Sequence, residues 1–250
     1  MQKFITKVTV TGADDSVHPN RLIELYEEFT FVEFGILLSR DAMGLNRFPS
    51  RKWLRNLITI CGGSEMNFAG HICGAWVKEL LVGHWPTQDF MDIDDNLMAP
   101  GVFSRWQINT HAIPHKVDYD RLSGLLCSLE ANGQTTIFQY DDVNTALVTH
   151  SLNTGSTNIS VLFDLSHGAG ILPKKWPKPL TDIDCGYAGG LSPENVAVQI
   201  ERIAAIVGGR KIWIDAETNL RSADDLQFDL RKVRAFLEAA KPWVFNGVLF

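Results

Sequence analysis

The chain has 250 residues, is 45% apolar and 21% charged, and sets 23 Lys+Arg against 29 Asp+Glu for a net charge of -6. This composition supports a large core and excludes a disordered chain. The acidic balance argues against a general binder of nucleic acid or of anionic membranes, both of which call for a basic face, and no run approaches the roughly 18 apolar residues of a membrane span.

The first strand signal is KVTVT at 7–11, followed by a helical stripe at 19–29 carrying Leu22, Leu25, Tyr26 and Phe29 on one face. The stretch before it, MQKFITKVTVTGADD, reaches Asp14 and Asp15 without a small-residue cleavage site, so it does not read as a signal peptide. An apolar run at 32–39 precedes Ser50, which suits the N-cap of a helix over 51–60. The same rhythm continues with strand then helix at 66–72 and 75–82, 104–109 and 119–131, and 135–139 and 143–152. Strands at 159–165 and 183–188 follow, the latter leading into a helix over 193–207. A last strand at 211–215 leads to a helix over 226–240.

Two stretches interrupt the pattern. Residues 84–101 read as an acidic solvated loop, and SHGAGILPKKWPKPLTD at 166–182 reads as a functional loop in place of a helix. Four scattered cysteines (Cys61, Cys73, Cys127 and Cys185) form no CxxC pair. Reduced thiols and a cytoplasmic setting are the expectation.

Eight strands in 250 residues leave about 31 residues per unit, the size of one βα step. Runs such as ISVLFDL and KIWID are apolar on both faces, as in a buried parallel sheet. The predicted fold is one domain spanning 1–250, a single eight-stranded parallel (β/α)8 barrel of the TIM type. In such a barrel the reactive groups gather at the C-terminal strand ends. YAGGLSPENV at 187–196 places adjacent Gly189 and Gly190 before Ser192 as N-cap and Pro193 at the first helical position, a helix start able to receive a phosphate. Asp215 and Glu217 share a side by the period of two, which suits acid–base work or a divalent cation. His71 near Cys73 reads as packing. His111 and His115 have Ile113-Pro114 between them, which argues against a metal site on one helix face. No Walker loop, GxSxG elbow or GxGxxG fingerprint is present, so no cofactor is expected.

AGGLSPENV resembles the strand-seven phosphate loop of the phosphoribosylanthranilate isomerase family. Shorter matches follow the same order: Val10-Thr11-Gly12, Asn46-Arg47-Phe48-Pro49-Ser50, Trp106-Gln107-Ile108-Asn109, Leu162-Phe163-Asp164, and DAETNLR from Asp215 to Arg221. The resemblance implies an aldose–ketose isomerisation of a small phosphorylated sugar derivative. Asp164 would be the general acid, its pKa raised by an apolar strand, and Thr11 would stand at the position of the family's base cysteine. Arg47, Gln107, Asn109, Gly189, Gly190, Asn219 and Arg221 would bind substrate or phosphate, with Arg221 compensating for the glycine that Asn219 replaces. A threonine cannot act as a base near neutral pH without a partner. Two alternatives therefore stand beside the isomerase: a non-catalytic relative that binds a small molecule or a protein, and a carboxylate-based lyase or isomerase using Asp164 and Glu217.

Overall fold

The computed structural model describes residues 2–94, 102–110, 116–141, 144–164 and 170–245. Eight strands pair in sequence order, every pair parallel, and β8 returns to β1 to close the barrel. They are β1 (Ile5–Thr11), β2 (Val32–Ser39), β3 (Asn67–Cys73), β4 (Arg105–Ile108), β5 (Thr135–Gln139), β6 (Ile159–Asp164), β7 (Asp184–Ala188) and β8 (Ile212–Ala216). The outer helices are α1 (Pro19–Glu28), α2 (Arg51–Cys61), α3 (Ala75–Leu81), α4 (Thr87–Met91), α5 (Tyr119–Ala131), α6 (Thr145–Asn153), α7 (Val196–Val207) and α8 (Leu230–Ala240). The expected (β/α)8 architecture is the one the chain adopts. Among the described residues no helix is long and apolar enough to cross a membrane. All four cysteines are free.

Three local expectations need correction. Residues 84–101 contain α4, anchored by Phe90, whose ring lies edge-on to Trp76 at 4.8 Å and stacks on Trp106 at 5.9 Å. Helix α8 begins at Leu230, because a bridge pairs Arg221 with Phe228 and Asp229 caps the helix by accepting from the Arg231 and Lys232 N–H groups. Helix α7 begins at Val196 with Asn195 as its N-cap in place of Ser192. Between β6 and β7 the described residues contain no helix, as the Gly/Pro-rich composition predicts. Trp176 fills part of that space, buried and donating its indole N–H to Gln199 Oε1 of α7 at 3.1 Å.

All eight residues of β2 are buried, so its two faces meet different protein surfaces. Phe34, Ile36 and Leu38 join the main core under the helices. The alternate residues face the barrel axis, where the filling is partly ionic. Arg105 donates from Nε to Glu33 Oε2 at 2.8 Å and from Nη2 to Glu33 Oε1 at 2.5 Å. Thr9 Oγ1 adds a hydrogen bond to Glu33 Oε1 at 2.8 Å, Lys7 Nζ lies 3.8 Å from Glu33, and the Arg105 guanidinium sits 4.4 Å from the Trp213 ring centre. Burial alone would raise the Glu33 pKa. The charges of Arg105 and Lys7 outweigh that cost, and with the hydrogen bonds they bring it down to about 2. Above this plug Ile137, Leu162, Ala188 and Trp213 form a separate apolar layer inside the barrel. The indole of Trp213 fits there because Gly186 has no Cβ; one would fall 2.2 Å from the ring.

Breaking a buried ion pair strands the remaining charge, which costs about 3–5 kcal/mol. Glu33→Ala is therefore expected to destabilise the fold by about that amount, whereas Glu33→Leu combined with Arg105→Met loses much less. The Glu33 pKa is depressed in the folded state, so its contribution is present above about pH 4.3 and is lost as pH falls toward 2. Urea titrations of the three proteins between pH 3 and 7 check both statements.

Candidate functional site

The C-terminal strand ends enclose a cavity of about 260 Å³, smaller than the roughly 300–1,000 Å³ typical of sites for drug-sized ligands. One wall is His71 from β3 with Gln107 from β4 and Asn109 just after it. A second is Gln139, Leu162 and Asp164 from β5 and β6. Ala188, Gly189, Gly190 and Leu191 follow β7, and Asp215 to Asn219 close the ring from β8, with Gly170 at the rim. Three carboxyl groups thus face one small space. Among the described residues no group of three His, Cys, Asp or Glu is arranged to hold a metal ion. His111, His115 and His167 lie outside the described residues.

Asp215 is the most deeply desolvated of the three, 6% exposed at the cavity wall. Burial raises its pKa well above the usual carboxylate range, opposed by a hydrogen bond from Thr11 and reinforced by the charges of Glu217, Glu33 and Asp164. Thr11 is fully buried and does not line the cavity; its Oγ1 donates to Asp215 Oδ1 at 2.8 Å. The expected placing of Thr11 at the site of a base is thereby corrected: it holds the Asp215 carboxyl and does not itself reach the cavity. Glu217 is also raised, first by burial, against the pull of Arg47, whose Nη1 lies 2.5 Å from Glu217 Oε1. Asp164 lines the cavity as expected but is only half-buried, so the deep desolvation foreseen for it belongs to Asp215.

The two arginines face inward to the protein's own carboxylates. Arg221 is fully buried, with Nη2 donating to Asp14 Oδ2 at 2.7 Å and Nε to Asp225 Oδ1 at 2.5 Å. Further bonds reach the carbonyls of Gly12 and Asp225. This guanidinium has no face left for a ligand, which corrects the expectation that Arg221 binds an anion. Arg47 sits at φ 64°, in the left-handed region, where Asp14 Oδ2 accepts its N–H at 2.9 Å. Its guanidinium spans Glu217 and Asp225, the latter at 2.8 Å, and it does not line the cavity. The pairing with Arg47 offsets the charge of Glu217, and burial disfavours the charged form of Asp215. The cavity is therefore less negative than three carboxyl groups suggest.

The loop after β7 also differs from its expected form. Asn195 Oδ1 accepts the Ser192 N–H at 3.0 Å and its Nδ2 donates to the Gly190 carbonyl at 2.9 Å, so Ser192 does not offer its N–H to a ligand. Among the described residues the N–H groups of Gly189, Gly190 and Leu191 have no hydrogen-bond partner. Gly190 has a positive φ of 65°, and a Cβ there would lie 2.3 Å from the Leu172 nitrogen, so segment 170–172 packs directly on it. Asn219 donates to the Leu191 carbonyl at 3.2 Å. Gln107 Nε2 donates to Asn109 Oδ1 at 2.7 Å, and Asn109 Nδ2 to Cys73 Sγ at 3.0 Å. Burial pushes the Cys73 thiol up to about 12, so it stays protonated.

His71, assigned to packing from the sequence, forms part of the cavity wall at 1% exposure, and its Nε2 has no hydrogen-bond partner. Burial brings its pKa down to about 4, so the ring is neutral at physiological pH. A buried polar atom left unpaired costs about 1–3 kcal/mol. The sequence signal for it is Gly35, whose missing Cβ would fall 3.0 Å from His71 Cε1 and 2.1 Å from Thr11 Oγ1.

No family model matches the chain, and no curated protein matches it in sequence. Its fold is similar to that of 3-hexulose-6-phosphate synthase from Salmonella typhimurium, with a TM-score of 0.55 and 10% identity over 95% of this chain and 99% of that one. It is also similar to phospho-2-dehydro-3-deoxyheptonate aldolase from Thermotoga maritima, with a TM-score of 0.54 and 12% identity over 96% of this chain and 69% of that one. Identities this low show the fold alone. The resemblance to phosphoribosylanthranilate isomerase is corrected by these findings: no family model supports it, and the similar barrels named are a hexulose-phosphate synthase and an aldolase. Its motifs are short, and the strand-end polar groups they contain recur in barrels generally.

The raised pKa of Asp215 carries a stability consequence with a definite sign. A carboxyl that ionises near pH 3.9 when unfolded, and much higher when folded, stabilises fully below pH 3.9. That contribution declines as pH rises toward the folded value. Asp215→Asn is expected to remove this decline, so the variant gains stability over the wild type progressively from pH 4 upward. Parallel denaturant titrations across pH 4–9 check it; a difference independent of pH would show that Asp215 is ionised in the folded protein.

Proposed function

We propose that the chain, as one domain, is an acid–base enzyme acting on a small phosphorylated sugar derivative held at the C-terminal mouth. The observation that carries this reading is the Asp215 carboxyl, buried, held by Thr11 and with its pKa raised by desolvation, in a small polar cavity that also presents Asp164 and Glu217. Two carboxyl groups facing one cavity can divide proton donation and proton removal between them. Asp215 donates a proton to a ring or carbonyl oxygen of the substrate, and Asp164 takes one from the adjoining carbon. Glu217, tethered by Arg47, holds a substrate hydroxyl. Such positioned proton transfers are the chemistry of sugar isomerases and of lyases that cleave beside a carbonyl.

The remaining lining suits the same class of ligand. The amides of Gln107, Asn109 and Asn219 pair with hydroxyl groups, and the open N–H groups of Gly189, Gly190 and Leu191 receive the phosphate. Backbone donors are sufficient for a phosphate where no arginine is free. The sugar phosphate in the name of the Salmonella barrel agrees with this substrate class.

The test is proton exchange in heavy water. With a panel of aldose and ketose phosphates of four to six carbons, the wild type is expected to exchange the hydrogen next to the carbonyl of at least one member. Asp215→Asn and Asp164→Asn are each expected to slow that exchange by about 10²–10⁴-fold, the usual contribution of a positioned acid or base. Exchange is read by proton NMR and binding by calorimetry. Tight binding with no exchange would establish a non-catalytic binder, and neither binding nor exchange at millimolar concentrations would overturn the reading.

A further inference from the structure

We infer that His71 is a ligand-binding residue, and that a hydroxyl or carbonyl oxygen of the sugar body completes the hydrogen bonding its imidazole lacks. This assignment rests on the sugar-phosphate reading above and names the group that meets the part of the ligand remote from its phosphate.

Three observations carry it. The ring forms part of the cavity wall next to Gln107 on the neighbouring strand, yet its Nε2 is fully buried with no hydrogen-bond partner. An apolar residue at this position would avoid that loss, so packing alone gives no reason for an imidazole here. The neighbouring strand is pared back around the ring: Gly35 of β2 leaves the space that His71 and Thr11 occupy together, and Thr11 in turn holds Asp215. Gly35 thus makes room for one polar group facing the ligand and for the support of another. The local charges suit a neutral ring that both donates and accepts. Glu33 favours the protonated form, Arg105 opposes it, and burial decides for the neutral one. A neutral imidazole on a sugar hydroxyl or carbonyl adds direction without adding charge to a cavity that must also admit a phosphate.

The experiment uses the full chain and three probes: D-ribose 5-phosphate, D-ribose and inorganic phosphate. Calorimetry is run on the wild type, His71→Phe and His71→Gln, with near-ultraviolet circular dichroism confirming the fold of each variant. His71→Phe is expected to weaken both sugar probes at least tenfold and to leave inorganic phosphate within twofold. His71→Gln, which restores a polar nitrogen, is expected to recover most of the loss. In wild-type protein labelled at histidine with ¹⁵N, the His71 ring resonances are expected to shift with D-ribose 5-phosphate and with D-ribose but not with phosphate. That arm needs no variant and decides the matter should phenylalanine not be accommodated. Unchanged sugar affinity in both variants, with unmoved ring resonances, would overturn the His71 assignment alone. Absence of binding of any probe to the wild type would overturn the sugar-phosphate reading and this assignment with it.

Discussion

A closed parallel barrel gives its axis only every second residue of each strand, and this constraint governs both ends of the molecule. On β2 the inward set begins with Glu33, passes through Gly35 and ends at Ser39, while Phe34, Ile36 and Leu38 serve the helical core. A carboxylate can sit on that axis only with its charge answered. Arg105 answers it from β4, and Thr9 and Lys7 from β1. Such a pair adds little net stability over well-packed apolar residues. What it fixes is a register: the bidentate contact requires β2 and β4 to keep one alignment on either side of β3.

The mouth follows the same logic with loops in place of strands. Asp14 follows β1, Arg47 lies in the loop between β2 and α2, and Asp225 and Arg221 lie between β8 and α8. Arg47 and Arg221 both use Asp14 and Asp225, so three loops close around one ionic knot. The knot occupies the arginines, leaving the adjacent cavity to carboxyl, amide, imidazole and backbone groups. Specificity in such a cavity comes from the direction of hydrogen bonds more than from net charge.

The strands were legible in the sequence because burial on both faces leaves apolar runs that need no partner to be recognised, as in ISVLFDL and KIWID. The starts of α7 and α8 were not. SPEN contains two good capping residues, and Asn195 prevails through bonds to Ser192 and Gly190 that only the folded loop provides. Asp215 and Glu217 were legible as a pair from the period of two, though not which of them is the more desolvated. The burial of Arg221 depends on Asp14, 207 residues away, and the place of His71 depends on a missing Cβ at Gly35 on the neighbouring strand; neither leaves a local trace. The family resemblance rested on short motifs in a shared order, an order that any eight-fold barrel with polar strand ends imposes.

The apolar layer of Ile137, Leu162, Ala188 and Trp213 separates the Glu33 plug from the mouth, but it does not insulate one from the other. The negative charge of Glu33 is among the influences that raise the pKa of Asp215, and it also acts on His71. A low-dielectric layer transmits a field better than water would. The ionisation of the carboxyl at the mouth is thus partly set by a charge on the far side of the apolar layer. A substitution at Glu33 or Arg105 would therefore shift the protonation of the cavity groups while leaving the cavity's own lining unchanged.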